Sequence, residues 1–365
     1  VNLRIPPVKR GDFYFPTKDG KMYLKNNQAN VRISLPSKGR LAENAMTFMA
    51  DCGLSVYQPN PRQYEASIPS LPGVTVLFQR PADIVGSVRD GSVDFGITGL
   101  DVVEERRGED GDVMVLHEAL GFGECMLALA VPEVWTEVNS AADLAARAGK
   151  MEKPLRVATK YPVLTERFLK KLGITATLIP AEGTLETAPT IGYADMICDI
   201  VSSGQTLRDN RLRPLKDGVI MRSQAALIAN SRSLRRGNQT LEVAKTLLEF
   251  FEAHLRASGD LAIFANMRGD SPEAIAARIF NECSIAGLQG PTISRIVVKE
   301  DKQNWYAVNI IVAREIILRT IRELRAIGGS GVVVMPITYI FDEEPLRIKS
   351  MLDELQADKE KEGAG

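Results

Sequence analysis

The stretch VRISLPSKGRLAENAMTFMADCG, residues 31–53, decides how the rest of the chain is read. Its first five residues place apolar and β-branched side chains at strand spacing, and the next five carry the proline, glycine and charge of a loop. Residues 41–53 then set apolar side chains at helical spacing before Gly53, a C-terminal cap. Strand, loop and helix in that order make half of a βαβ unit. VTVLFQ (74–79), PADIVGSVRDG (81–91) and VDFGITG (93–99) continue as a strand, a helix opened by proline, and a strand. Alternation of this kind predicts a parallel sheet.

A second round echoes the first. LRVATK (155–160), YPVLTERFLKKLG (161–173), TATLIP (175–180), LETAPTIGYA (185–194) and DMICDIV (195–201) predict strand, helix, strand, helix and strand. VDFGITGLD and MICDIVSSGQTL match in outline, each an acid-bearing apolar run that enters a glycine turn. The repeat implies two similar α/β lobes with a cleft between their strand ends. GECMLALAVP (123–132) and GVIMRSQAALIAN (218–230) read as strands crossing between the lobes, so the second lobe is inserted into the first. The expected division is an N-terminal arm (1–30), lobe I (31–122 and 218–235), lobe II (123–217), a linking helix (236–260), a third domain (261–345) and a C-terminal tail (346–365) whose charged end, LQADKEKEGAG (355–365), is expected to fray. Within 261–341 the pattern runs strand, helix, strand, strand, helix, strand, the split order of ferredoxin-like folds.

Composition bounds the function. A chain of 365 residues is too long for one ordinary core. Its 45 basic and 46 acidic residues leave no broad field for nucleic acid or an anionic membrane, so any anion site must be local. The four cysteines, Cys52, Cys125, Cys198 and Cys283, lie far apart, which predicts neither a zinc site nor a disulfide framework and suits a reducing compartment. No apolar run approaches the roughly 20 residues of a membrane span, and the N-terminus has no signal-peptide core; the expectation is a soluble protein. The polar, Pro-bearing start at Val1 suits a mature chain whose targeting peptide is absent.

The chemistry gathers at loops. SSGQT (202–206) offers backbone amides and three hydroxyls at a helix start, a geometry that favours phosphate; an ordinary helix cap is the commoner explanation of such a pentapeptide alone. The acids Asp195 and Asp199 upstream shift the balance, because a carboxylate at a strand end needs partners such as sugar hydroxyls or magnesium. LPSKGRL (35–41) sets Lys38 and Arg40 around a glycine, either a polyphosphate grip or a solvated basic turn. DFGITGLD (94–101) supplies Asp94, Thr98, Gly99 and Asp101, with glycines that admit a ligand to the backbone or, at Gly96, serve packing. Glu186 in GTLETAP stands at a helix start, where capping is its plain role. His117 and His254 are isolated in the sequence from each other and from any cysteine, and no Ser-His-Asp arrangement appears, so covalent catalysis is not indicated.

These blocks carry a resemblance. LPSKGRL, DFGITGLD, GFGECMLALA, VATKYP, AEGTLETAP, ADMICDIVSSGQTLRDNRL and LRAIGGSGVVVMPI look, in order, like those of the ATP phosphoribosyltransferases in their long form, over about residues 31–341. The start at Val1 and the insertions look most similar to plant members, which implies the plastid stroma, or else the cytoplasm. The resemblance implies two periplasmic-binding-protein-like lobes around a cleft and an ACT/PII-like, ferredoxin-like regulatory domain. It implies a pentosyltransferase that joins ATP and phosphoribosyl pyrophosphate (PRPP) with Mg2+ in the first step of histidine biosynthesis.

Carried over block by block, Asp199, Ser202, Ser203, Gly204, Gln205, Thr206 and Leu207 would bind PRPP. Lys38, Arg40, Arg80, Asp94, Thr98, Gly99 and Tyr161 would bind ATP. Lys38, Arg40, Asp199 and Glu186 would be catalytic. Asp270, Leu288, Thr292 and Gly331 would bind histidine as feedback inhibitor, with AMP as a second inhibitor, in a homo-hexamer. Cys198 stands where nucleobase-salvage enzymes have a second acid before the loop, which argues against that fold. Two other readings remain: a two-lobed solute-binding protein, which needs an export signal, and a non-catalytic amino-acid-sensing subunit, which predicts degenerate cleft motifs.

Overall fold

The computed structural model describes residues 13–16, 22–25, 31–60, 63–108, 110–181, 183, 185–283, 290–297 and 304–363. The chain divides into a first unit, Val1–Thr246 with Lys349–Gly365, and a second, Leu247–Ile348. In the predicted arm an antiparallel pair, β1 (Phe13–Pro16) and β2 (Met22–Lys25), is described; the rest of the arm lies outside the described residues.

The first sheet forms from β3 (Val31–Pro36), followed by α1 (Gly39–Asp51), β4 (Glu65–Ser67), β5 (Val74–Gln79), α2 (Pro81–Asp90), β6 (Phe95–Gly99), α3 (Leu100–Arg106) and β7 (Val113–His117). β3 is buried at every position but one, as a parallel strand covered on both faces should be. Pro81 sits at the first position of α2, where its missing amide costs nothing. Gly96 is a packing glycine, because a Cβ there would run into Ile84 of α2.

The second sheet is made by β8 (Cys125–Pro132), α4 (Ala141–Ala148), β9 (Leu155–Thr159), α5 (Pro162–Lys171), β10 (Ala176–Pro180), β11 (Met196–Val201), α6 (Gln205–Asp209) and β12 (Leu212–Ser223). β13 (Ala225–Asn230) then rejoins the first sheet. The predicted crossing strand at 218–230 is thus two strands, one in each sheet, with Gln224 between them. The outward crossing, between β7 and β8, runs beside this return: Ala225 N donates to Phe122 O (2.9 Å), Leu120 N to Ala225 O (2.9 Å) and Gly121 N to Gln224 Oε1 (2.8 Å).

The repeat is visible in strand order. In the first sheet the run β5-β3-β6-β13 has three parallel strands and an antiparallel neighbour; in the second, β10-β9-β11-β8 has the same arrangement. The sheets also share a clasp at the start of a strand. Asp94 accepts from Arg32 N (2.8 Å), and Asp195 accepts from Arg156 N (2.8 Å) and Arg156 Nη2 (2.8 Å). In both cases an acid just before one strand holds the backbone of the parallel neighbour.

Three expectations need correction. LETAPTIGYA forms only a 3-10 turn, Leu185–Thr187, because Pro189 cannot supply the amide a longer helix requires. The expected linking helix, 236–260, is preceded by another: Ser231–Arg236 is helix α7, capped by Asn230 Oδ1 accepting from Ser233 N (2.7 Å). The tail is also helical. After α8 (Asn238–Ala257) and the second unit, α11 covers Leu346–Gly363, rich in Leu, Glu and Lys, with Met351 and Leu355 buried one turn apart.

The second unit contains β14 (Asp260–Arg268), α9 (Pro272–Glu282), β15 (Thr292–Ile296), β16 (Trp305–Ala313), α10 (Ile317–Ala326) and β17 (Ser330–Pro336). Its sheet has the order β15-β16-β14-β17 with all neighbours antiparallel. Alternate residues of β14 and β16, among them Ile263, Ala265, Met267, Val308 and Ile310, form one core with Ile275 and Ile279 of α9 and Leu324 of α10. Phe250, Tyr339 and Phe341 make a separate aromatic cluster with centroids 5.7–5.9 Å apart.

Candidate active site

Six parallel strands end on one cavity. A space of about 930 Å³ in the first unit is lined by residues at or just past the C-terminal ends of β3 (Arg40), β5 (Arg80), β6 (Gly99), β9 (Thr159, Lys160 and Tyr161), β10 (Pro180 and Ala181) and β11 (Ile200 and Ser202). Open α/β sheets place ligands there because strand ends leave loop amides and helix starts facing outward. Arg40, Arg80 and Arg106 supply positive charge from the first sheet, and Lys160 supplies it from the second. Asp101 and Glu105 of α3, Glu124 and Cys125 complete the polar lining.

Alternation along β11 turns Asp199 to the face opposite Ile200. It is half-buried, and its Oδ1 accepts from Ile200 N (2.8 Å). Burial pushes its carboxyl above the ordinary range; the Ile200 amide and Lys160 pull the other way, while the Glu186 charge adds to the rise. Asp199, Glu186 and Lys160 are therefore electrostatic neighbours. Beyond them, Gly204 takes φ 72° and leads into α6, a conformation that an L side chain resists. Ser203 Oγ accepts from Gln205 N (3.3 Å), and Arg208 folds over the loop to Ser203 O (3.2 Å) and Gln205 Oε1 (3.0 Å). Ser202, Ser203, Gln205 and Thr206 are exposed.

Some predicted residues stand elsewhere. Asp94 is at the far end of β6 from the cavity, about 16 Å away at 3.3 Å per residue, and its carboxylate is taken by Arg32. Asp195 is likewise at the far end of β11, where Arg156 outweighs burial and holds its carboxyl below the ordinary range. Thr98 is fully buried and donates to Pro81 O (3.3 Å). Leu207 belongs to the core, so only its backbone is available to a ligand. Lys38 is exposed and does not line the cavity. Tyr161 lines it, but its hydroxyl donates to Asp101 Oδ2 (2.6 Å), and burial with the Asp101 charge holds the phenol far above its ordinary value.

Sequence reasoning missed Lys160, Glu105, Arg106 and Arg208 as site neighbours. Lys160 and Arg208 lay inside quoted motifs, VATKYP and SSGQTLRDN; nothing in the sequence singles out Glu105 or Arg106. Burial raises the Cys125 thiol to about 11 and the Cys198 thiol to about 12, so neither is a ready nucleophile.

In the second unit Thr292 begins β15 and Gly331 lies in β17, on opposite edges of the sheet and roughly 14 Å apart at the usual strand spacing. Asp270 follows β14, with its carbonyl accepting from Tyr306 Oη (3.5 Å). Leu288 lies outside the described residues.

Known proteins match most of the chain. Residues 80–250 match the family model described as ATP phosphoribosyltransferase, and residues 257–339 match that of the HisG C-terminal domain. The chloroplastic ATP phosphoribosyltransferase 2 of Arabidopsis thaliana is 45% identical over 332 residues, 89% of this chain and 80% of that protein. The ATP phosphoribosyltransferase of Gemmatimonas aurantiaca is 36% identical over 308 residues, 84% of this chain and 98% of that one. Among solved structures, the ATP phosphoribosyl transferase (HisG:HisZ) complex from Thermotoga maritima aligns over 61% of this chain and 98% of its own, with 25% identity and a TM-score of 0.47. Matched along nearly its whole described length by relatives from a plant and a bacterium, the chain belongs to the ATP phosphoribosyltransferase family.

Proposed function

We propose that the chain transfers the phosphoribosyl group of PRPP to N1 of ATP, releasing pyrophosphate, as the first step of histidine biosynthesis. The observation that carries this reading is the convergence of six parallel-strand ends on one cavity. Arg40 and Arg80 line one wall, and Ser202, the first residue of the hydroxyl-rich glycine loop, lines the other, with the half-buried Asp199 at the same strand end.

The 5-phosphate of PRPP rests on Ser202, Ser203, Gly204, Gln205 and Thr206, with the Leu207 amide and Arg208 close by. Asp199 and Glu186 take the ribose hydroxyls. Arg40 and Arg80 hold the nucleotide and the departing pyrophosphate, with Gly99 admitting the ligand close to the backbone. Adenine N1 carries a lone pair and no proton, so its attack on the anomeric carbon needs no strong base. The bond from that carbon to pyrophosphate breaks as the new C–N bond forms. Carboxylates stabilise the positive sugar while cations stabilise the leaving charge. Holding the two substrates in line supplies up to roughly 7–11 kcal/mol of the barrier reduction.

Magnesium enters as part of the substrates. Among the described residues no group of three or more His, Cys, Asp or Glu is placed to hold a metal. An ion carried on polyphosphate needs only one or two protein carboxylates.

The second unit serves as a ferredoxin-like, ACT/PII-like regulatory domain, a reading supported by its strand order. Histidine binds between subunits of a homo-hexamer, with Asp270, Leu288, Thr292 and Gly331 as contacts and AMP as a further inhibitor. Because Thr292 and Gly331 occupy opposite edges, one ligand touching both requires two copies. The plastid stroma is the proposed location, by analogy with the chloroplastic relative.

The test mixes the protein with ATP, PRPP, magnesium and pyrophosphatase, with and without histidine, and follows product absorbance. Product formation that histidine suppresses is expected. No product overturns the enzymatic reading, and turnover indifferent to millimolar histidine overturns only the regulatory one.

A further inference from the structure

Two carboxylates one turn apart on α3 reach out of the first lobe to the same turn of the second. Asp101 Oδ2 accepts from Tyr161 Oη (2.6 Å). Glu105 accepts from Val163 N at Oε1 (2.9 Å) and Leu164 N at Oε2 (3.0 Å). These amides belong to the first turn of α5, which has no side-chain cap of its own, so Glu105 supplies from another lobe what a helix start normally finds locally. Asp101 makes a third connection: its Oδ1 accepts from Ser223 Oγ (2.6 Å), which in turn accepts from Asp101 N (2.9 Å). Ser223 ends β12, next to Gln224, where the chain returns from the second sheet to the first. Asp101, Tyr161 and Ser223 are at most 7% exposed, so these bonds are shielded from water and losing one leaves a buried polar group unpaired.

We propose that Asp101 and Glu105 are positioning residues that lock the first turn of α5 to α3 and to the crossing between lobes, thereby fixing how far the Thr159–Lys160–Tyr161 wall stands from Arg40 and Arg80. The proposal rests on the transferase reading for its kinetic consequence but not for its structural one. Tyr161 acts through Asp101, and its hydroxyl does not touch the nucleotide. A small shift of this wall misaligns two substrates that must react in line, and misplacement by about 1 Å costs up to about a hundredfold in rate.

The test uses the full chain with Tyr161→Phe, Asp101→Asn, their combination, and Glu105→Gln as an independent, milder variant. Steady-state kinetics for both substrates, thermal melting, and amide hydrogen exchange of the segment 159–165 are measured. Each single change is expected to lower kcat by about ten- to a hundredfold and to alter KM for both substrates. The double variant should be no worse than the worse single one, the mark of a shared contact. Exchange at Val163 and Leu164 should rise about tenfold or more in Glu105→Gln, as local opening becomes easier.

Additive losses confined to KM for ATP would overturn the lock and return Tyr161 to direct nucleotide contact. A fall in melting temperature with unchanged kinetics would reduce these residues to ordinary packing. Unchanged exchange in all variants would also refute the lock. A chain without transferase activity whose exchange follows the expected pattern would uphold the lock while the activity reading falls.

Discussion

The two α/β lobes are alike at one end of their sheets and unlike at the other. Where the parallel strands begin, Arg32 with Asp94 and Arg156 with Asp195 repeat one clasp, acid to neighbouring backbone, with the same 2.8 Å contact. Where the strands end, the first lobe presents Arg40 and Arg80, while the second presents Lys160, a half-buried Asp199 and a hydroxyl-rich loop. The comparison teaches that position along a strand separates two roles for the same residue type. An aspartate at the beginning holds register; the one at the end, Asp199, makes no such clasp and stands beside the cavity-lining Ile200 and Lys160.

The sharpest way to break this division is at the strand ends. Arg40→Ala should lower kcat by about a hundred- to a thousandfold, the loss typical of one preorganised group that stabilises developing charge. Because Arg40 is exposed, the melting temperature should not move. Pyrophosphate release and a thermal melt check both halves of the expectation.

Asp199→Asn should weaken PRPP binding by about tenfold, the loss of one charged hydrogen bond, read as KM for PRPP. It should also stabilise the fold. Burial raises the folded carboxyl above its unfolded value, so the folded state binds the proton more tightly and stability falls as pH rises between the two values. At neutral pH the amide therefore melts higher, by about 2–4 °C per kcal/mol relieved. The difference fades in acid, where Asp199 is protonated in both states.

Asp195→Asn should do the reverse. Its folded carboxyl is held below the ordinary range, so the stability it contributes is present above the unfolded value and lost as pH falls through the folded one. With Arg156 partly exposed, the loss at neutral pH is about 1 kcal/mol, while KM and kcat of the folded enzyme stay unchanged. Asp94→Asn should likewise leave KM and kcat unchanged, because its carboxylate holds the Arg32 amide away from the cavity, and a tenfold kinetic loss there would break the comparison. The smallest effect belongs to Lys38→Ala. An exposed side chain outside the cavity should cost under about 0.5 kcal/mol, and a large fall in kcat would put Lys38 back among the site residues.

Much of the architecture was legible from local pattern. β5 occupies the very residues, 74–79, that its period-two spacing marks, and α2 starts at Pro81 as its proline requires. The failures have local causes too. In LETAPTIGYA the apolar spacing overrode Pro189, and in the tail the charge obscured Met351 and Leu355 on one helical face. At the site, SSGQT and LPSKGRL announced themselves through glycine, hydroxyl and charge. Asp94 and Asp195 misled because composition does not reveal which end of a strand faces the cavity.

The sequence by itself determined the repeat, the alternation of strand and helix, and the types of residue available for phosphate and sugar, because periodicity and turn chemistry act within a few residues. Only the tertiary structure decided that Asp94 and Asp195 are clasps, that Thr98 and Leu207 are buried, and that Asp101 and Glu105 reach from α3 to another lobe. Those facts depend on contacts between residues 39–62 positions apart, and such contacts exist only once the sheets have formed and the chain has crossed between them.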